Sequence, residues 1–419
     1  MITDRVVALV GYRMYLINWG FCSVCEWNRE TKKVTPSGTY RFMNWWLVIF
    51  GASVYTAAMT YRIYDATGVL FGEGREDEKL YNVSKSGKLV LLSLIVFTVD
   101  CLAWIFIFNI IGVGILVSEK RFEICNVINE IVRLNYLLLE RVRNHNGYLP
   151  LEERRGRKLN AAEECLILLN VGTMLLPILY GFTILHPYEP VHRTLLEWFE
   201  VQPKPQLSLI PVIILVDWGL FYCANAVFIP IAMALLYIGF CRFWIPGIMP
   251  RSIVIYQGKP RYSTDVGLVD GEFIRQVYRI IQVLNISMNS ILKTGWTCMH
   301  HATVLFVFVL SVLLCIRYNE DVQSMGVAGL VLPSAGIAVI LVEYYECHLL
   351  GKILWESRLH ISVGRKFFER RSVMKKFYLS CTDIRLYTAY PFFVVSYDTF
   401  LLVVNQGIDF LVSFLVFSA

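Results

Sequence analysis

The 419-residue sequence predicts an all-α membrane protein: seven transmembrane helices, the N-terminus inside, the C-terminus outside, and long inner helical extensions forming an intracellular anchor bundle. Three observations predict it. Hydrophobic residues make up 56% of the chain and charged residues 17%, against roughly 45–50% apolar and 25% charged in soluble domains. The apolar residues gather in seven stretches, each near the ~20 residues a helix needs to cross a bilayer. The basic residues fall almost wholly on one side of those stretches.

The spans run over residues 43–64, 88–118, 161–185, 208–241, 298–317, 326–346 and 387–419. The fourth is the purest, with Asp217 the single charge between 215 and 240. The third begins on Glu163 and Glu164. Pro177, Pro211, Pro230 and Pro333 lie inside spans, where they kink helices rather than end them. The opening Met-Ile-Thr-Asp-Arg is not a signal peptide, because no small-residue cleavage site follows a short apolar core. The first span is therefore expected to insert directly.

Orientation follows from Lys and Arg in the short loops. With residue 1 inside, the inner segments are 1–42, 119–160, 242–297 and 347–386. They hold 31 of the 39 basic residues, and the outer loops 65–87, 186–207 and 318–325 hold five. The sequon Asn82-Val83-Ser84 lands in the first outer loop and marks Asn82 for glycosylation. A second sequon, Asn285-Ile286-Ser287, lands inside, where it would be silent. None of the eleven Cys falls in an outer loop, so no extracellular disulfide is expected. An inside N-terminus is the reverse of a G-protein-coupled receptor, which excludes that class.

The inner segments total about 180 residues and the outer loops about 53. Apolar residues recur at three and four through Phe122, Val127, Ile128, Ile131, Val132, Tyr136 and Leu137. The stretch Phe273, Ile274, Val277, Tyr278, Ile280, Ile281, Val283, Leu284 behaves alike. Solvated linkers need no apolar stripe, so these are read as packed helices beneath the membrane. Four parts result: a cytosolic segment 1–42, spans one to four over 43–241, spans five and six with the anchor helices over 242–386, and a last helix over 387–419.

No catalytic set emerges, and neither enzyme activity nor a cofactor is expected. There is no P-loop, no Gly-rich dinucleotide motif after a strand and no Gly-x-Ser-x-Gly elbow. Cys22-x-x-Cys25 has no second pair nearby, so it is not read as a zinc site. His300-His301 lacks a carboxylate at helical spacing, so no metal is assigned to it. Nothing points to nucleic acid. Charges within spans are functional candidates: Asp100, Asp217, Glu343, Glu346 and Asp409. Glu343 and Glu346 lie near the inner end of span six, where they could simply reach the interface.

The last span carries the most information. Pro391 breaks any helix arriving from Tyr387, and Ser396 is a plausible N-cap for a new one starting at Tyr397. Asn405, Asp409 and Ser413 recur at i, i+4, i+8 and share a face, which Val412, Val416 and Phe417 continue outward. A polar stripe is costly against lipid. If several copies surround an axis, this face lines a pore for cations, and the outer Val and Phe gate it by dewetting. The alternative is a polar seam against a neighbouring helix. A second candidate is an apolar pocket in the outer half of the bundle, drawn from Ser93, Val96, Phe97, Met174, Tyr180, Trp218, Tyr222 and Met325. It would suit a small apolar or volatile ligand. The alternative there is ordinary helix packing.

The last third resembles the insect odorant receptor family. Residues Tyr344-Tyr345-Glu346-Cys347-His348-Leu349-Leu350-Gly351-Lys352 fit that family's aromatic-Cys-x-x-Gly pattern at the end of span six. Ser357, Leu359 and the basic run 365–376 follow at the right distance. Pro391-Phe392-Phe393-x-x-Ser396-Tyr397-Asp398-Thr399-Phe400-Leu401 looks like the family's entry to its last helix, which continues through Val404, Asn405 and Phe410. The resemblance implies a subunit of a tetrameric, ligand-gated, non-selective cation channel in the plasma membrane of sensory neurons. The implied pore is lined by the last helix, the inner helices hold subunits together, and the odorant binds in the outer half. The implied partner is a shared co-receptor subunit, in a heterotetramer or, alternatively, a homotetramer.

The gustatory sister family ends on Thr-Tyr, five apolar residues, then Gln-Phe. Here those positions read Asp409-Phe410, 411–415, then Val416-Phe417, which favours an odorant receptor. The co-receptor keeps that Gln and has a longer inner loop, so this chain is not read as the co-receptor. Ser413 stands where an apolar gate residue is common, which fits a ligand-tuning subunit. The remaining alternatives are a gustatory channel, and a transporter using Asp100 or Asp217 as an ion site. The seven spans show no inverted repeat of the kind transporters carry.

Overall fold

The computed structural model describes residues 4–18, 23–28, 30–70, 111–146, 210–249, 253–256, 259–262, 271–292, 296–317, 327–388 and 393–417, with single positions between 101 and 167. These are predominantly helical. In chain order they form α1 (Asp4–Asn18), β1 (Cys25–Asn28), β2 (Lys33–Pro36), α2 (Thr39–Leu70) and α3 (Arg121–Asn146). Then follow α4 (Ile210–Gly247), β3 (Ile253–Tyr256), β4 (Lys259–Tyr262), α5 (Gly271–Leu292) and α6 (Trp296–Arg317). The chain closes with α7 (Val327–Phe367), α8 (Val373–Ser380), β5 (Tyr387–Thr388), β6 (Phe393–Val394) and α9 (Tyr397–Phe417).

Among the described residues, two helices are long and apolar enough to cross a membrane, over Thr39–Tyr61 and Ile229–Gly247, and a shorter apolar stretch covers His300–Leu313. The first leaves a row of large apolar side chains uncovered, Met43, Leu47, Phe50 and Val54. They recur at four, three and four, one face of a helix. The opposite face packs on residues 111–119. There the Trp45 indole donates to Ser118 Oγ at 2.8 Å, and Gly114 admits Ile49, whose Cδ1 would lie 2.4 Å from a Cβ at that position.

Helices α3 and α5 belong to the part that the sequence reads as an anchor. Helices α3 and α5 form where periodicity placed them, although the phase on α3 differs. Its buried row is Ile124, Ile128, Ile131, Asn135 and Leu138, while Phe122, Tyr136 and Leu137 are exposed. The apolar count on α3 is high on two faces, and only packing selects one. Helix α5 buries Phe273, Ile274, Val277, Tyr278, Ile281 and Leu284 as expected, and leaves Val283 and Ile286 outside. Asn285 of the silent sequon is buried and accepts from the Tyr237 hydroxyl at 2.8 Å, closed to a glycan.

The all-α expectation needs one correction: three antiparallel hairpins are present. The first is bound to α3 by one side chain. Asn129 Oδ1 accepts from the Val34 amide at 2.8 Å and Asn129 Nδ2 donates to the Val34 carbonyl at 2.7 Å, so the amide imitates a neighbouring strand. Cys25 is not paired with Cys22, which lies outside the described residues. Its Sγ sits 3.3 Å from Cys125 Sγ, both as buried thiols.

The anchor core is polar at its centre. The Tyr278 hydroxyl lies 2.9 Å from Ser357 Oγ and donates to the Thr382 carbonyl at 2.9 Å, and Ser357 Oγ accepts from the Ile384 amide at 2.8 Å. The Tyr378 hydroxyl lies 3.2 Å from His360 Nε2. Gly364 makes room for Tyr378, whose ring would stand 2.3 Å from a Cβ there.

Burial pushes the His360 imidazole down to about 3 from its ordinary 6.5. Folded, it is neutral; unfolded, it charges below about pH 6.5. Its contribution is complete above that pH and is lost as the pH falls toward 3. At pH 5 the loss is about 2 kcal/mol. Glu356, raised from 4.5 to about 7 by burial, acts with the opposite sign as the pH falls from about 7 to 4.5, overlapping the upper part of that range. The comparison of wild type with His360→Gln therefore isolates the imidazole. The thermal midpoint of the detergent-purified variant falls less between pH 7 and pH 5 than that of the wild type. Parallel pH profiles would assign the acid-sensitive group elsewhere.

Candidate functional site

The sequence places a helix break after Tyr387 and a new helix at Tyr397; α9 begins on that residue. The cap differs from the expected one. Thr399 Oγ1 reaches back and accepts from the Ser396 amide at 2.9 Å, and the Thr399 amide donates to the Ser396 carbonyl at 3.2 Å. The hydroxyl one turn inside the helix thus holds the preceding residue, the inward half of a capping box.

The start of α9 rests on the motif of α7. A Cβ at Gly351 would lie 2.7 Å from the Tyr397 amide nitrogen and 3.0 Å from the Ser396 carbonyl carbon. Those neighbours are backbone and have no rotamer to yield. One turn up, His348 lies beside Tyr397, ring centroids 5.4 Å apart, and Tyr344 meets Phe400 edge-on at 5.3 Å. The aromatic, His and Gly positions of the motif are thus the seat of the last helix.

Helix α9 then leans on α6. Val403 and Gly407 are buried, and a Cβ at Gly407 would stand 3.0 Å from the Phe308 ring and 3.2 Å from Leu305. At about 100° per residue, Val403, Gly407 and Leu411 form one seam. Asn405, Asp409, Val412, Ser413 and Val416 lie within roughly 60° of the direction opposite. All five are exposed, Val416 by 69%. Ser413 Oγ donates to the Asp409 carbonyl at 2.8 Å, so its hydroxyl is satisfied along the helix. Phe417 ends α9; its side chain is outside the described residues. Gly407 was not singled out by sequence. A glycine in an otherwise apolar helix was the available signal.

The pocket residues are not brought together by anything described. Asn82, Ser93, Val96, Phe97, Met174, Tyr180 and Met325 lie outside the described residues, as do Asp100 and the side chains of Trp218 and Tyr222 on α4.

Near the start of α6, a second constellation is drawn from two helices. His300 Nε2 lies 3.1 Å from Glu346 Oε2 and 3.9 Å from Glu343 Oε2, and His301 Nδ1 lies 2.8 Å from Glu343 Oε1. Cys347 Sγ donates to Glu343 Oε1 at 3.3 Å. The sequence offered Glu343 an escape to the interface, yet its side chain is fully buried. His300-His301 lacks a carboxylate on its own helix; α7 supplies two.

No protein-family model matches the chain, and no curated protein matches it.

A methyl at position 351 must push the α9 backbone away or tilt α7. Gly351→Ala therefore lowers the thermal midpoint of the purified chain by several degrees. Gly51→Ala, where nothing lies within 4 Å, leaves it unchanged or raises it. Equal behaviour of the two variants would remove the seat from Gly351.

Proposed function

We propose that the chain is an odorant receptor subunit of a ligand-gated, non-selective cation channel, seven-spanning, with its N-terminus inside, in the plasma membrane of sensory neurons. The observation that carries this reading is the uncovered face of α9. A helix that buries one seam on its own subunit and leaves Asn405 and Asp409 exposed opposite has a face made for water or for another copy. Four such helices about an axis would enclose a polar path, with Val412 and Val416 as a dry constriction toward the C-terminal end.

Support also comes from the uncovered apolar rows on α2, suited to lipid, and from the basic asymmetry of the loops. The motif at 344–352 seats the last helix, which gives its pattern a structural reason. Helix packing beneath the spans suits an anchor between subunits, and the exposed Val283 and Ile286 of α5 suit contact with a partner such as a co-receptor subunit. The ligand would be small and apolar, taken in the outer half near Trp218 and Tyr222.

Currents recorded from cells expressing the chain with and without an odorant co-receptor, across a panel of volatiles, test this directly. The expected result is a ligand-evoked cation current in the paired cells. Silence in both settings despite surface expression would overturn the reading, and substrate uptake without conductance would favour a transporter. In responding cells, Asp409→Asn lowers divalent relative to monovalent permeability several-fold. Unchanged permeation would turn Asp409 away from the pore. Trp218→Ala or Tyr222→Ala shifts ligand preference at normal surface expression; lost expression would make them structural.

A further inference from the structure

The constellation between α6 and α7 has a use that the channel reading does not require. One donor atom each from His300, Glu343 and Glu346 lies within 4.8 Å of the other two. Four ligands around a zinc-sized ion at 2.0–2.2 Å stand about 3.4 Å apart, and the contacts His300 Nε2–Glu346 Oε2 at 3.1 Å and His300 Nε2–Glu343 Oε2 at 3.9 Å bracket that spacing.

Glu343 sharpens the case. It is fully buried, and its two oxygens are treated differently. Oε1 accepts from Cys347 Sγ and lies against His301 Nδ1. Oε2 faces His300 without a hydrogen bond. A buried carboxylate oxygen left unsatisfied is costly. Outer groups that fix one oxygen and present the other are how metal-ligating carboxylates are oriented. We propose that His300, Glu343 and Glu346 bind a divalent transition-metal ion of the zinc class, with His301 and Cys347 as the groups that orient Glu343, clamping the start of α6 to the middle of α7. A set of one imidazole and two carboxylates suits Zn²⁺ better than Ca²⁺ or Mg²⁺, which call for six or more oxygens.

The clamp sits within the frame that carries α9. Leu305 and Phe308 of α6 take the seam at Gly407, and Tyr344, beside Glu343, takes Phe400. An ion joining α6 to α7 would hold those two supports at a fixed separation. The inference stands on the cluster alone, whatever the chain conducts.

The test uses the full chain in detergent, stripped by a chelator, dialysed against ZnCl₂ and assayed for bound metal and thermal midpoint. One Zn²⁺ is retained per chain, the midpoint rises, chelator reverses both, and millimolar MgCl₂ or CaCl₂ does not displace the ion. Glu346→Gln, at a partly buried position less at risk in folding than Glu343, and Glu343→Gln each weaken binding at least tenfold. Glu130→Gln, on α3 and not among the cluster's residues, leaves it unchanged. A wild-type chain that retains no Zn²⁺ and shows no shift would overturn the proposal and leave the cluster a proton-bridged ion pair. Binding unaltered in both Glu variants would overturn it equally, placing the ion elsewhere.

Discussion

The contact between Gly351 and the backbone of Ser396 and Tyr397 sets the position of everything after it. A helix start normally has freedom to slide or tilt, since its first amides lack partners within the helix. Here the start is pressed against the mid-length of α7 at a distance that only a residue without a Cβ allows. Aromatic contacts from Tyr344 and His348 on the next turn fix the direction of departure. With origin and direction set, α9 meets α6 at Gly407, where a second missing side chain admits Phe308 and Leu305. Two glycines on two helices thus determine which face of α9 is spent on packing and which is left over.

The same economy of space operates in the anchor, with polar groups added. Tyr278, Ser357, Thr382 and Ile384 close a small network in which Ser357 Oγ serves both the tyrosine and a backbone amide. Asn289 extends it, donating to the Arg385 carbonyl and accepting from the Tyr387 amide. Asp383 holds Arg358 and Arg385 at 2.9 and 2.6 Å, and hydrogen bonds from these guanidinium groups offset the burial that would otherwise raise its carboxyl, leaving it below its ordinary value. The stretch 381–386 has no helix or strand of its own, and the Thr382 and Arg385 carbonyls and the Ile384 amide are met by side chains of α5 and α7. This segment leads toward the seat of α9, and holding it ties the last helix to the anchor.

Helix existence was legible in the sequence because periodicity, apolar length and breakers act locally. The start of α9 could be placed to the residue from Pro391 and Ser396, and the buried face of α5 from its stripe, Val283 excepted. What escaped were properties that depend on a partner distant in sequence. The buried face of α3 turns on which of two apolar rows meets α4 and α5. The hairpin β1–β2 is short, and its support comes from Asn129, about a hundred positions away in the chain. The His300 cluster is invisible to helical spacing because its carboxylates lie on another helix. The polar face of α9 was legible for the opposite reason: it is a property of one helix.

Span six was bounded at 346, yet α7 continues unbroken to Phe367, 41 residues in all. At 1.5 Å per residue that is about 60 Å, twice the thickness of a hydrocarbon core. No proline lies between 334 and 367, and Gly351 and Gly364 are held by close contacts rather than left to bend. One rod therefore carries Glu343 and Glu346 of the cluster, the seat of α9 and His360 of the anchor, in that order. Neighbouring points on a stiff helix cannot move independently. A shift that tilts α7 at Glu343 must carry Gly351 with it, about two turns away, and Gly351 has no slack against Tyr397.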